Sequence, residues 1–244
     1  MNPTFLNQHQ HHILFDSDSL NQIVPQWFTP EYWQGQAQVQ AVTAGRGRAW
    51  FIDGEMQSMV LRHYQRGGAI AGLLGDRYLW QGLSRTRAWR EWRLLAELYL
   101  QGLPVPQPLA AHVIHHGLFY RADLLTRTIA NSESLSSRLR RQPLEPSIWQ
   151  ATGQLIRRFH TARVFHADLN AHNILLQGSQ GIYLIDFDKG KIMPPVVGAR
   201  SWQQANLQRL QRSLYKLRLQ LSDFHFSESD WQAFMQGYSD PASQ

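Results

Sequence analysis

A chain of 244 residues can bury a sizeable core without covalent staples, and its length suits one large or two small lobes. At 43% hydrophobic and 11% aromatic residues it is neither disordered nor collagen-like, and with no cysteine it has no disulfide, thiolate metal site or cysteine nucleophile. The net charge is +6, and only Lys189, Lys191 and Lys216 among the 24 basic residues are not arginine. A guanidinium grips carboxylates and phosphates through paired hydrogen bonds, so this bias points to anionic ligands: nucleotides, phosphorylated lipids or nucleic acid. No run of about 18 apolar residues is present to span a membrane. The first 20 residues lack an apolar signal core, so the chain is expected in the cytosol, touching a membrane at most from its surface.

In chain order, residues 1–35 read as a partly ordered lead-in, with His9, His11 and His12 in a solvated polar tract. Three antiparallel strands follow, at 38–42, 49–52 and 59–64, joined by a turn at 44–48 and a tight Asp53-Gly54-Glu55 turn. A helix is expected from Ser84, with Trp89, Trp92, Leu95, Ala96 and Tyr99 at helical spacing. Gly102 ends it, and Pro104, Pro106 and Pro108 enforce an extended exit. Two more strands fall in 109–125 around His115-His116-Gly117. The Ser/Arg-rich residues 126–146 read as a connector between lobes. A helix spans Ser147 to about Ala162, and another spans Ser201–Leu221 with Leu207, Leu210, Leu214, Leu217 and Leu221 in one stripe.

The chemistry concentrates at 166–188. His166-Ala167-Asp168-Leu169-Asn170-Ala171-His172-Asn173 leads into a strand at Ile174-Leu175-Leu176, a turn, and a strand at Ile182-Tyr183-Leu184-Ile185 that delivers Asp186-Phe187-Asp188. A hairpin of this length returns Asp186 beside Asn173. Asp168 can then accept a proton, while a carboxamide and a second carboxylate offer hard oxygen ligands suited to Mg²⁺. A base for an attacking hydroxyl and a divalent metal against phosphates are what phosphoryl transfer needs.

The spacing H-x-D-L-x-x-x-N, followed by a hairpin and Asp-Phe, resembles the catalytic segment of the protein-kinase-like superfamily. That resemblance implies an α+β, two-lobed fold: a nucleotide lobe with a five-stranded antiparallel sheet and one helix, then a mostly helical catalytic lobe. The expected boundaries are a lead-in at 1–35, the nucleotide lobe at 36–128 and the catalytic lobe at 129–244. It implies Asp168 as catalytic base, Asn173 and Asp186 as Mg²⁺ ligands, and Gly45, Arg46 and Gly47 as a short glycine loop whose backbone N–H groups cover the phosphates of ATP. Kinases place a lysine on the third strand, but no lysine occurs here before Lys189, and the matching position is Arg62. This exchange is not conservative. Arg62 is expected to grip the phosphates with Glu91 as its helix partner. His166 is expected to have a hydrogen-bonding role in the loop, and His172 to be a loop residue.

Within the superfamily, Leu61-Arg62-His63-Tyr64-Gln65-Arg66-Gly67-Gly68, Gly102-Leu103-Pro104-Val105-Pro106 and Ile185-Asp186-Phe187-Asp188-Lys189-Gly190 resemble the 3-deoxy-D-manno-octulosonic acid (Kdo) kinase family of the lipopolysaccharide core. The short stretch after Asp186 leaves no room for a long activation loop, which favours a small-molecule or glycolipid acceptor over a protein. The resemblance implies ATP-dependent phosphorylation of the Kdo 4-hydroxyl on lipid A by a peripheral protein on the inner face of the inner membrane. No nucleic acid and no obligate protein partner are expected. Nine arginines between Arg46 and Arg93 against four acids agree with an anionic acceptor. The Arg66–Leu74 stretch could rest on the bilayer or lie over the nucleotide, and the Leu207–Leu221 helix, with Arg209, Arg212, Lys216 and Arg218, could also meet the bilayer but is expected to pack on the helical lobe. Open alternatives are a kinase of a core heptose, aminoglycoside or choline, a non-catalytic pseudokinase, and a nucleic-acid binder.

Overall fold

The computed structural model describes residues 1–35, 38–44, 47–54, 57–65, 75–178, 181–195 and 201–240. The chain divides into two compact units, Met1–Gln101 with Pro106–Thr128, and Gly102–Val105 with Ile129–Gln244.

The first unit is built on one antiparallel sheet. Its strands are β1 (Pro3–Gln8), β2 (His11–Asp16), β3 (Gln38–Ala44), β4 (Gly47–Asp53), β5 (Ser58–His63), β6 (Tyr78–Leu79), β7 (Pro108–His116) and β8 (Phe119–Arg127). The spatial order is β1-β2-β7-β8-β5-β4-β3, with β6 also paired to β8. The five expected strands are therefore joined by three more. Residues 3–16 are not a lead-in: they form a hairpin whose second strand pairs with β7, with His11 opposite Ile114 and Phe15 opposite Ala110. The histidines of this segment consequently belong to the sheet, and His11 Nδ1 lies 2.9 Å from His112 Nε2.

Alternation assigns the two faces of β5. Met59 and Leu61 are buried in a cluster with Ile13, Trp27, Phe28, Trp33, Leu109 and Leu125. Val60 and Arg62 point the other way, because successive side chains of a strand take opposite faces. Helix α2 (Arg87–Leu100) packs on β7 and β8. Before it stands a one-turn α1 (Pro30–Trp33). Helix α2 starts three residues later than Ser84 because residues Leu83–Arg85 form a 3-10 turn and Thr86 is extended at the N-cap. Gly102, at φ 71°, ends it in the left-handed conformation.

The second unit contains β9 (Ser132–Ser134), α3 (Leu135–Arg141), α4 (Pro146–Thr161), β10 (Val164–Phe165), β11 (Ile174–Gln177), β12 (Gly181–Leu184), β13 (Lys191–Ile192), α5 (Ser201–Gln220) and α6 (Glu228–Ser239). The expected connector is thus partly structured. Ser134 caps α3 by accepting from the Ser137 N–H at 3.1 Å, and Leu135 and Leu139, one turn apart among Ser and Arg, are fully buried. Helix α6 opens on a reciprocal Ser227/Asp230 capping box and packs closely on α4. A Cβ on Gly237 would stand 2.0 Å from the Gln150 carbonyl oxygen, and one on Gly153 2.0 Å from that of Phe234, so only glycine permits this approach.

Candidate active site

Two short ladders build the site in the second unit. Val164 and Phe165 pair with Ile192 and Lys191, and Ile174–Gln177 pairs with Leu184–Gly181. Residues 166–173 and 185–190 are the two loops that connect these ladders, so each is pinned at both ends and they run side by side. Asp168 and Asn173 lie on the first loop and Asp186 on the second.

Hydrogen bonds lock the loops together. Ile185 donates its N–H to the Asn173 carbonyl at 3.0 Å. Its own carbonyl lies 2.9 Å from His166 Nε2, which must be the donor. Nδ1 of the same ring accepts the Asp168 N–H at 3.2 Å. His166 is therefore a neutral imidazole bonded to both loops. Burial holds its pKa below the usual value, against the raising effect of Ile185, Asp186 and Asp168. Phe187, fully buried, packs against His166 and Phe159 with ring centroids 4.8 and 5.8 Å away, which seats the second loop. Asp186 itself has φ 63°, in the left-handed region that aspartate tolerates better than most residues.

Asn173 is buried and donates its carboxamide N–H to the Asp168 carbonyl at 2.9 Å. Oδ1 is then the atom with which it can ligate a cation. Asn170 donates to the same carbonyl at 3.0 Å, so two carboxamides fix the Asp168 backbone while its carboxylate stays 63% exposed. His172 takes no such place; its Nδ1 lies 2.7 Å from Ser136 Oγ.

Helix α5 supplies Asn206, which the sequence reading passed over, and Arg209, which it took only as one of the helix's basic residues. Asn206, buried, accepts the His166 N–H at 3.2 Å and donates to the His166 carbonyl at 2.8 Å, satisfying both backbone groups of one loop residue. Its signal was available: it is a polar residue on the Leu210/Leu214 face, where a buried carboxamide needs partners. Arg209, one turn on, places Nη1 3.7 Å from Asp168 Oδ1.

In the first unit, Arg62 on β5 pairs with Glu91 on α2. Glu91 is buried on the stripe of Ala88, Trp92 and Leu95, where a carboxylate is costly without partners. It receives one bond from Arg62 and a second from the Tyr64 hydroxyl at 2.6 Å. Tyr64, which also accepts from Arg62 Nη2 at 2.9 Å, is a further member missed from sequence, although the i, i+2 spacing puts it on the Arg62 side. Gly47 opens β4 opposite Ala44. Gly45, Arg46 and the stretch 66–74 lie outside the described residues. Among the described residues no helix is long and apolar enough to cross a membrane.

Residues 30–238 match the model of the Lipopolysaccharide kinase (Kdo/WaaP) family. A 3-deoxy-D-manno-octulosonic acid kinase of Stenotrophomonas maltophilia is 47% identical over 210 residues, spanning 84% of this chain and 81% of that protein. One from Xanthomonas axonopodis pv. citri is 47% identical over 206 residues, with the same two shares. One from Photobacterium profundum is 40% identical over 229 residues, 94% of this chain and 95% of its own.

Proposed function

Because the chain belongs to the Lipopolysaccharide kinase (Kdo/WaaP) family, we propose that it transfers the γ-phosphoryl group of ATP to the 4-hydroxyl of a Kdo residue on lipid A, in building the lipopolysaccharide inner core. The observation that carries this reading is the pair of pinned loops, held to one another through His166 and Ile185, with Asp168 and Asn173 on one and Asp186 on the other.

Asp168 accepts the proton of the acceptor hydroxyl as its oxygen bonds to the γ-phosphorus. The bond from that phosphorus to the β–γ bridging oxygen breaks, and ADP leaves. Little covalent chemistry falls to the protein in such a transfer, so fixing the Asp168 backbone is its main task. The carboxamide oxygen of Asn173 and the carboxylate of Asp186 are hard donors that fit Mg²⁺. They would hold the ion, which neutralises charge on the phosphates. Arg62, steadied by Glu91 and Tyr64, is the cation for the α- and β-phosphates in place of the usual lysine, and Gly45, Arg46 and Gly47 are the backbone cover for them. The exposed Arg212, Lys216, Arg218 and Leu219 at the C-terminal half of α5 support peripheral attachment to the anionic cytoplasmic face of the inner membrane.

The test is γ-labelled ATP with Kdo–lipid A, lipid A lacking Kdo, a core heptose acceptor, an aminoglycoside and choline, followed by mapping of the labelled product. Label confined to the Kdo 4-hydroxyl is expected. Efficient labelling of lipid A without Kdo, or of another acceptor in preference, would refute the reading.

A further inference from the structure

The pairing of Arg209 with Asp168 has no evident use in stability. Both side chains are about half exposed or more, at 47% and 63%, and ion pairs of that kind contribute only about 0–1 kcal/mol. At 3.7 Å the guanidinium stands beside the carboxylate at a distance longer than a hydrogen bond, so its donors are not committed there. Its position is nevertheless fixed from both sides. One turn before it, Asn206 holds the His166 backbone; one turn after it, Ser213 Oγ accepts the Ala171 N–H at 3.3 Å. Helix α5 is thereby fastened to the first loop at two points, with Arg209 between them. Arg212 and Lys216 follow at i+3 and i+7 on the same helix face, both exposed and neither in an ion pair with another described residue. A row of cations thus begins at the proposed base and continues along the helix.

We propose that Arg209 is an acceptor-binding residue that grips the carboxylate of the Kdo ring while Asp168 takes the proton from the ring hydroxyl. This rests on the functional reading above. The acceptor named for the relatives is an acid, ionised at neutral pH. A carboxylate on the same sugar ring as the reacting hydroxyl must come close to Asp168, where its own negative charge would repel it. A guanidinium beside Asp168 removes that conflict, and its planar fork matches a carboxylate through two parallel bonds. An acceptor lacking the acid would forgo the contact, so Arg209 also selects the substrate.

The experiment compares Kdo–lipid A with the same acceptor carrying its Kdo carboxyl as the neutral methyl ester, using wild type, Arg209→Gln, Arg209→Lys and, as a control cation on the second loop, Lys189→Gln. Wild type should prefer the acid by about 10- to 100-fold in kcat/KM, the size of a charge-assisted hydrogen-bond pair. Arg209→Gln should lose this factor on the acid, mainly as a raised KM, and should scarcely distinguish acid from ester. Arg209→Lys should fall between, and Lys189→Gln should keep the wild-type preference. An Arg209→Gln enzyme that retains the wild-type ratio overturns the proposal. So does a wild type that uses acid and ester equally, a result that needs no folded variant. A wild type that phosphorylates neither refutes the functional reading itself, and the proposal with it.

Discussion

His166 Nε2 lies 2.9 Å from the carbonyl oxygen of Ile185, the residue immediately before Asp186. With Nδ1 bonded to the Asp168 N–H, one neutral ring ties the loop that carries Asp168 to the loop that carries Asp186. Asn206 holds the same residue from beneath. Asn206→Leu leaves two buried backbone groups of His166 without partners, at about 1–3 kcal/mol each. His166→Phe keeps the packing against Phe187 but removes both ring bonds. Each variant should lower kcat about tenfold or more and leave the KM for ATP nearly unchanged. Steady-state kinetics would check this, and a loss confined to a raised KM would speak against a positioning role.

Arg62→Ala should raise the KM for ATP about tenfold or more, because the charged donor proposed for the phosphates is lost. Glu91→Gln should have a smaller effect in the same direction. Glu91 touches Arg62 and Tyr64 and acts through them. The double variant should therefore be no worse than Arg62→Ala alone. Additive losses would mean that Glu91 acts elsewhere.

Acid should weaken the second unit through His160. Burial lowers its pKa to about 4, against a raising contribution from Asn206. The unfolded chain takes up this proton near the ordinary value of about 6.5, so below that pH it binds more protons than the folded chain. Stability from this residue is fully present above pH ~6.5 and declines as pH falls toward 4, by up to about 3 kcal/mol. His160→Phe should flatten that slope in denaturant titrations at pH 7, 6 and 5. An unchanged slope would place the loss on other groups.

Gly237→Ala tests the α4–α6 contact. Helix propensity alone favours alanine by about 1 kcal/mol. The added Cβ would meet backbone at 2.0 Å, which flexible side chains cannot relieve. The clash should win, with a net loss of about 1–3 kcal/mol in thermal or denaturant unfolding. A stabilised variant would show that the helices can separate at little cost.

Much of the 166–188 segment was legible because the chemistry expected of it fixes a spacing: Asp168 and Asn173 five residues apart, then a hairpin, present in the structure, that leads to Asp186. The Arg62 strand was legible from the Asp53-Gly54 signal between two apolar runs and the α5 stripe from its leucines. The β1–β2 hairpin was not, since its turn runs through His9 at φ 55° rather than through Gly or Asn-Gly, and its strands mix polar and apolar residues without a clean period. The α6 helix was hidden by polar composition, although Ser227 and Asp230 spell a capping box. Asn206, Arg209 and Tyr64 act through contacts made only in the folded chain, and no local rule marks them as partners of residues 40, 41 and 27 positions away.

The most direct test of the account is Asp168→Asn, assayed for γ-phosphoryl transfer to Kdo–lipid A and, separately, for ATP binding. The substitution preserves shape and the backbone bonds from Asn170 and Asn173, and removes the proton acceptor together with the charge beside Arg209. Transfer should fall by about 10²–10⁴, the usual worth of a general base, with ATP affinity within about threefold of wild type. Turnover close to that of wild type would contradict the assignment of Asp168 and the mechanism built on it.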